Sequence, residues 1–122
     1  MENIVREKSK AFAVRIVRLS RYLSEGKKEF IISKQILKSG TSIGANIREA
    51  SRAQSTADFI SKMNIALKEA DETCYWLEIL YESEIITQKE FSVLYAECEE
   101  LLKILVSIIK TTRNNGKFRI KS

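Results

Sequence analysis

Apolar residues recur at alternating steps of three and four along nearly the whole chain, and this spacing limits its fold more than any other feature. It gathers them on one face of an α-helix. In a first segment Val5, Phe12, Ile16, Leu19 and Leu23 share a stripe, and a second carries Ile32, Ile36, Ile43, Ile47 and Ala50. In a third, Ile60, Met63, Leu67, Ala70, Cys74, Leu77 and Tyr81 follow the same rhythm. A fourth repeats it with Phe91, Leu94, Cys98, Leu101, Leu105 and Ile108. The 122 residues include no Pro and four Gly, a composition that argues against a turn-rich β protein and for long helices. The expected fold is all-α, an antiparallel up-down four-helix bundle over residues 1–112. A basic C-terminal tail, residues 113–122, has no periodicity and is expected to lie outside the bundle.

Several helix boundaries are readable. Ser55-Thr-Ala-Asp58 has the spacing of a capping box, and Thr87-Gln-Lys-Glu90 has its standard form. Each offers a hydroxyl to free amide donors and an acid to the positive end of the helix dipole. Gly26 can end the first helix. The short connection around Ile85 and Ile86 predicts an antiparallel hairpin of the last two helices. The second segment is the least regular, because Gly40 and Gly44 sit inside its helical pattern. Small residues there let a neighbouring backbone approach closely. The pattern favours a continuous or slightly kinked helix over a break near Gly40 with Thr41 or Ser42 as a new cap.

The composition also limits function. There is no His, which removes the usual general base, the usual zinc ligand and any His-containing triad. No Gly-rich phosphate loop or nucleophile elbow is present. Glu69, Asp71 and Glu72 lack partner ligands at metal spacing. No enzymatic activity, metal or cofactor is therefore expected. Cys74 and Cys98 fall on core stripes at equal distances from the expected turn, which places them in one layer as buried free thiols. The N-terminus has no apolar signal core and no stretch is long enough to span a bilayer, so a soluble cytoplasmic protein is expected.

The net charge of +5 hides a polarised chain. Residues 1–54 carry 12 Lys/Arg against 5 Asp/Glu, residues 55–100 carry 3 against 11, and residues 101–122 carry 6 against none. One reading is that basic and acidic helices meet within the bundle or between subunits. The other is phosphate binding by Arg15, Arg18 and Arg21 of the first helix, extended by Lys27 and Lys28. Arg113, Lys117, Arg119 and Lys121 of the tail could join that patch, with Phe118 stacking on a base.

Three blocks in order are the most distinctive part of the chain: Ser39-Gly-Thr-Ser-Ile-Gly-Ala-Asn-Ile-Arg-Glu-Ala50, Ser55-Thr-Ala-Asp-Phe59, and Ile65 to Glu78 ending in Cys-Tyr-Trp-Leu-Glu. Within the first, Asn46, Glu49 and Arg52 recur every three residues, a spacing that suggests a hydrogen-bonded network fixing helix register. The blocks resemble the bacterial four-helix-bundle family, also called the ribosomal-RNA intervening-sequence protein family, over about residues 5–112. That family's second-helix block reads Ser-Ile-Pro-x-Asn-Ile-Ala-Glu-Gly. Ser42, Ile43, Asn46, Ile47 and Glu49 match it; Gly44 replaces the Pro, Arg48 the Ala and Ala50 the Gly. The resemblance implies an up-down bundle that assembles with itself into a ring, commonly a homopentamer. It also implies RNA or DNA as a ligand, or a protein partner such as the reverse transcriptase that a similar bundle accompanies. It supplies no catalytic residues. Ser42, Asn46, Glu49, Arg52, Glu72 and Trp76 are expected to be structural or interface residues.

Overall fold

In the computed structural model the described residues, 2–115, form four α-helices. Helix α1 spans Glu2–Arg21, α2 Ile31–Ala50, α3 Thr56–Glu82 and α4 Gln88–Asn115. Helices α3 and α4, of 27 and 28 residues, each extend about 40 Å. Contacts between the helices set their directions. Ser20 meets Ser33 while Ile16 lies against Gly40 and Ser9 against Gly44. Thr73 meets Ser39 while Lys62 meets Glu49. Tyr95 reaches Glu78 and Cys98 reaches the carbonyl of Ala70. In each series one number rises as the other falls, so consecutive helices run in opposite directions, compatible with an up-down bundle.

The periodic residues form the core. Every member of the first stripe is buried, as are Ile36, Ile43, Ile47, Met63, Ala70, Leu77, Cys98, Leu101 and Leu105. Ile32, Ile60, Leu67, Tyr81, Phe91 and Leu94 are half-buried and pack on its edge. Local chemistry sets the ends. The Ser55 hydroxyl accepts from the Asp58 amide at 3.0 Å. At the start of α4 the exchange is reciprocal: the Thr87 amide donates to the Glu90 carboxylate at 2.8 Å, and the Glu90 amide to the Thr87 hydroxyl at 3.1 Å. Helix α2 uses a cap absent from the sequence reading. The Glu29 carboxylate accepts from the amides of Ser33 (2.9 Å) and Ile31 (3.3 Å).

Three features differ from the sequence expectation or refine it. Helix α1 passes into one π-helical turn, Tyr22–Gly26, closed by the Lys27 amide on the Tyr22 carbonyl. Helix α2 is continuous through Gly40 and Gly44, because both glycines lie where α1 approaches. A Cβ at Gly40 would stand 2.7 Å from Ile16 Cγ2, and one at Gly44 3.3 Å from Ser9 Oγ. Helix α4 runs past Thr112 to Asn115, so Arg113 is helical. Thr112 is buried in this last stretch of the helix, and the next glycine in the chain is Gly116.

Buried hydroxyls join the helices at fixed levels. Ser20 and Ser33 face each other with their hydroxyl oxygens 2.9 Å apart, and each hydroxyl donates to the other residue's backbone carbonyl, Ser20 Oγ to Ser33 O at 3.1 Å and Ser33 Oγ to Ser20 O at 3.0 Å. Thr73 Oγ1 contacts Ser39 Oγ at 2.9 Å. Satisfied polar pairs of this kind set register, since a one-turn slip would bury unpaired hydroxyls.

Candidate nucleic-acid interface

The residues expected to bind phosphate occupy three different environments. Arg15 is engaged across the α1–α4 seam, its Nε 3.2 Å from Glu97 Oε2, and one level away Lys8 pairs with Glu100 at 3.2 Å. Arg18 and Arg21 are exposed near the end of α1. Lys27 and Lys28 follow in the α1–α2 connection, Lys27 Nζ 5.9 Å from the centre of the exposed Tyr22 ring and Lys28 with a positive φ of 56°. Arg113 stands at the opposite end of the bundle, because α4 finishes beside the start of α1. Lys117, Phe118, Arg119 and Lys121 lie outside the described residues. Arg113 and the basic surface at the end of the first helix therefore lie at opposite ends of the bundle.

A third basic region is assembled only by folding. An open furrow of about 630 Å³ runs between α1 and α2. Arg6 and Lys10 rise on its α1 side, Arg48 and Arg52 on its α2 side, and Lys62 enters from α3. Its floor is made of small residues, Ser9, Ala13, Gly44 and Ala45. Glu49 is its one acid, held by Lys62 at 3.3 Å. Among the described residues Arg6, Lys10, Arg48 and Arg52 take part in no ion pair. Sequence reasoning counted these cations but did not group them, since they come from three helices. The available signal was the pair of i, i+4 steps, 6 to 10 and 48 to 52, beside the glycines.

Among the described residues the side chains of Asn46, Glu49 and Arg52 are not joined to one another. Asn46 is half-buried and its amide donates to the Ser42 carbonyl at 2.8 Å, within α2. Glu49 instead links α2 to α3 through Lys62, and Arg52 lines the furrow. The register network expected at Asn46, Glu49 and Arg52 is carried by the buried serines and Thr73. The physical reason is position: those hydroxyls face other helices, whereas Asn46 has its own carbonyl ladder within reach. On α3 the Trp76 indole donates to Glu72 at 3.0 Å, and its ring meets the exposed Tyr75 edge-on with centroids 5.1 Å apart.

No arrangement suited to acid–base or nucleophilic chemistry emerges among the described residues. Cys74 and Cys98 are both buried and free. The Cys98 thiol sits 3.2 Å from the Ala70 carbonyl, and a hydrogen bond with Cys74 together with burial raises its pKa, which favours the protonated thiol. The Tyr95 hydroxyl donates to Glu78 at 2.6 Å, which raises its pKa also. Glu69 is raised by burial and by Glu72, with Lys38 opposing. No group of three or more His, Cys, Asp or Glu side chains could hold a metal, and no helix is long and apolar enough to cross a membrane, among the described residues.

Comparison with known proteins agrees with the fold. No protein of curated function matches the chain. A crystal structure of a protein of unknown function from the S23 ribosomal protein family of Bacteroides thetaiotaomicron VPI-5482 is similar, at 59% identity and a TM-score of 0.88. The match covers 89% of this chain and 97% of that one. That description is not of a known enzyme family. The family model for the 23S rRNA-intervening sequence protein matches residues 1–107. With the four antiparallel helices and the three sequence blocks in place, the chain belongs to the 23S rRNA-intervening sequence protein family.

Proposed function

We infer that the protein is a non-enzymatic, homo-oligomeric ring, a pentamer in this reading, that acts in the cytoplasm by binding structured RNA or other nucleic acid. One observation carries the reading. Arg6, Arg48, Arg52, Lys62, Lys110 and Arg113 gather toward the end of the bundle where α1 begins and α4 finishes. The chain continues from there into Lys117, Arg119 and Lys121. Cations on all four helices create a field that attracts phosphate and steers its approach. Arg18, Arg21, Lys27 and Lys28 form a second basic surface at the far end.

The test is a fluorescence-anisotropy titration with structured RNA at low and moderate salt, alongside light scattering for the oligomeric state. Binding that weakens steeply with salt is expected. So is a loss of affinity on removing residues 116–122 together with Arg113→Gln. No binding at low salt would refute the reading, and a monomer at micromolar concentration would refute the ring. A second reading, an adaptor ring that binds a protein such as a reverse transcriptase without touching nucleic acid, draws on α3. There Tyr75 is 53% exposed beside Trp76, and such side chains favour protein interfaces.

A further inference from the structure

We propose that the furrow between α1 and α2 binds the sugar–phosphate backbone of a single nucleic-acid strand without reading its bases. This rests on the nucleic-acid reading above and narrows it to one site and one kind of ligand. Three properties of the furrow select that ligand.

The first is charge. Five cations face one acid, and that acid is already paired with Lys62. Four of the cations have no carboxylate partner among the described residues, so their charge is available to an anion. The second is what the lining lacks. It contains no aromatic residue and no large aliphatic one, only small side chains between the charged ones. A base or nucleoside would find no aromatic ring to stack on and an apolar peptide no large side chain to pack against, whereas a polyanion needs only the cations. The third is shape. Arg6 and Lys10 stand one helical turn apart, about 6 Å along α1, and on the other side Arg48 of α2 is followed by Arg52 in the turn just past that helix. That layout suits an extended chain of charges over a single phosphate group, which would draw donors to one point. Packed neighbouring helices have axes roughly 8–10 Å apart, and Gly44 against Ser9 makes this crossing a close one. The furrow therefore admits one backbone and not the width of a duplex.

Glu49 is then the residue that tunes affinity. It neutralises Lys62 in the free protein and repels phosphate in the bound one. The conservative Glu49→Gln variant removes both effects while keeping the side-chain outline.

The test uses the full chain and short oligouridine, oligoadenosine and a duplex of equal length, titrated by anisotropy over a salt series. Equal affinity for the two single strands and weaker binding of the duplex are expected. Arg48→Gln with Arg52→Gln should weaken both single strands by about tenfold or more. It should also flatten the salt slope by about 1.4, or about 0.7 per lost phosphate contact. Lys10→Gln should act in the same direction, and Glu49→Gln should tighten binding. All four side chains are at the surface, so circular dichroism should show the helices retained. A strong preference for one homopolymer would overturn the backbone-only assignment. Unchanged affinity and slope in both the Arg48/Arg52 and Lys10 variants would overturn the furrow as the site. In that case the nucleic-acid reading would survive if Arg113→Gln with removal of residues 116–122 abolished binding. Failure of the unaltered protein to bind any of the three at low salt would overturn both.

Discussion

Gly40 lies where α2 crosses Ile16 of α1, and the crossing can be tested by adding one methyl group. A Cβ at this position would stand 2.7 Å from Ile16 Cγ2, 2.9 Å from Cγ1 and 3.1 Å from Cβ. Ile16 is fully buried, so it cannot swing into solvent, and α1 must move away instead. Overpacking of this kind costs about 1–3 kcal/mol. Alanine also relieves the helix-interior penalty of glycine, worth about 1 kcal/mol in the opposite direction. Packing wins, and Gly40→Ala should lose about 1 kcal/mol net. Urea unfolding at fixed protein concentration reads this as a lower midpoint with an unchanged slope. A double-mutant cycle isolates the contact. Ile16→Ala alone should cost about 2–5 kcal/mol, but in its background the new methyl occupies space vacated by the two Cγ atoms. The pair should therefore be less destabilised than the sum by about 1 kcal/mol. Gly44→Ala is the control, because its nearest neighbour, Ser9 Oγ, is 3.3 Å away and the Ser9 backbone is at 3.5 Å. It should be close to neutral, or more stable by up to about 1 kcal/mol. Additivity within about 0.5 kcal/mol, or a Gly40→Ala protein more stable than the parent, would refute the close-approach account.

Other consequences can be checked in the same unfolding assay. Ser20→Ala should cost about 0.5–1.5 kcal/mol, because it removes the hydroxyl's bond to the Ser33 carbonyl and its contact with Ser33 Oγ while Ser33 keeps its own bond to the Ser20 carbonyl. Since the two hydroxyls share the Oγ–Oγ contact, Ser20→Ala with Ser33→Ala should cost less than the two single losses added together. Glu84 holds a positive φ of 65° at the end of α3, so Glu84→Gly should stabilise by about 0.5–1 kcal/mol, seen as a raised midpoint. The raised pKa of Glu69 means the folded state holds its proton more tightly than the unfolded one. That contribution to stability is full below the unfolded carboxyl pKa and is lost as pH rises through the folded value. Glu69→Gln should therefore stabilise at pH 7 by up to about 0.5 kcal/mol, with the gain shrinking as pH falls through the carboxyl range. Both thiols should resist a thiol reagent in the native protein and react fully once it is denatured.

The sequence by itself determined the elements and their buried faces. A stripe at three-and-four spacing can be hidden only by a helix laid against other helices, and Val5, Phe12, Ile16, Leu19 and Leu23 are all buried together. Caps were equally legible, because Ser55 with Asp58 and Thr87 with Glu90 act over three residues of chain. Only tertiary structure decided what the two glycines of α2 face, since their meaning comes from Ile16 and Ser9 on another helix. It also decided the fate of each cation. Arg15 looks identical to Arg18 in sequence, and both are exposed, yet Arg15 meets Glu97 across a seam and Arg18 has no ion pair among the described residues. The furrow joins residues 6, 10, 48, 52 and 62 because helices that neighbour in space bring together charges far apart in the chain. Helical periodicity specifies which side of a segment turns inward. It does not specify which outward residues of two helices become neighbours, because that depends on crossing angle and register, and both are settled by packing.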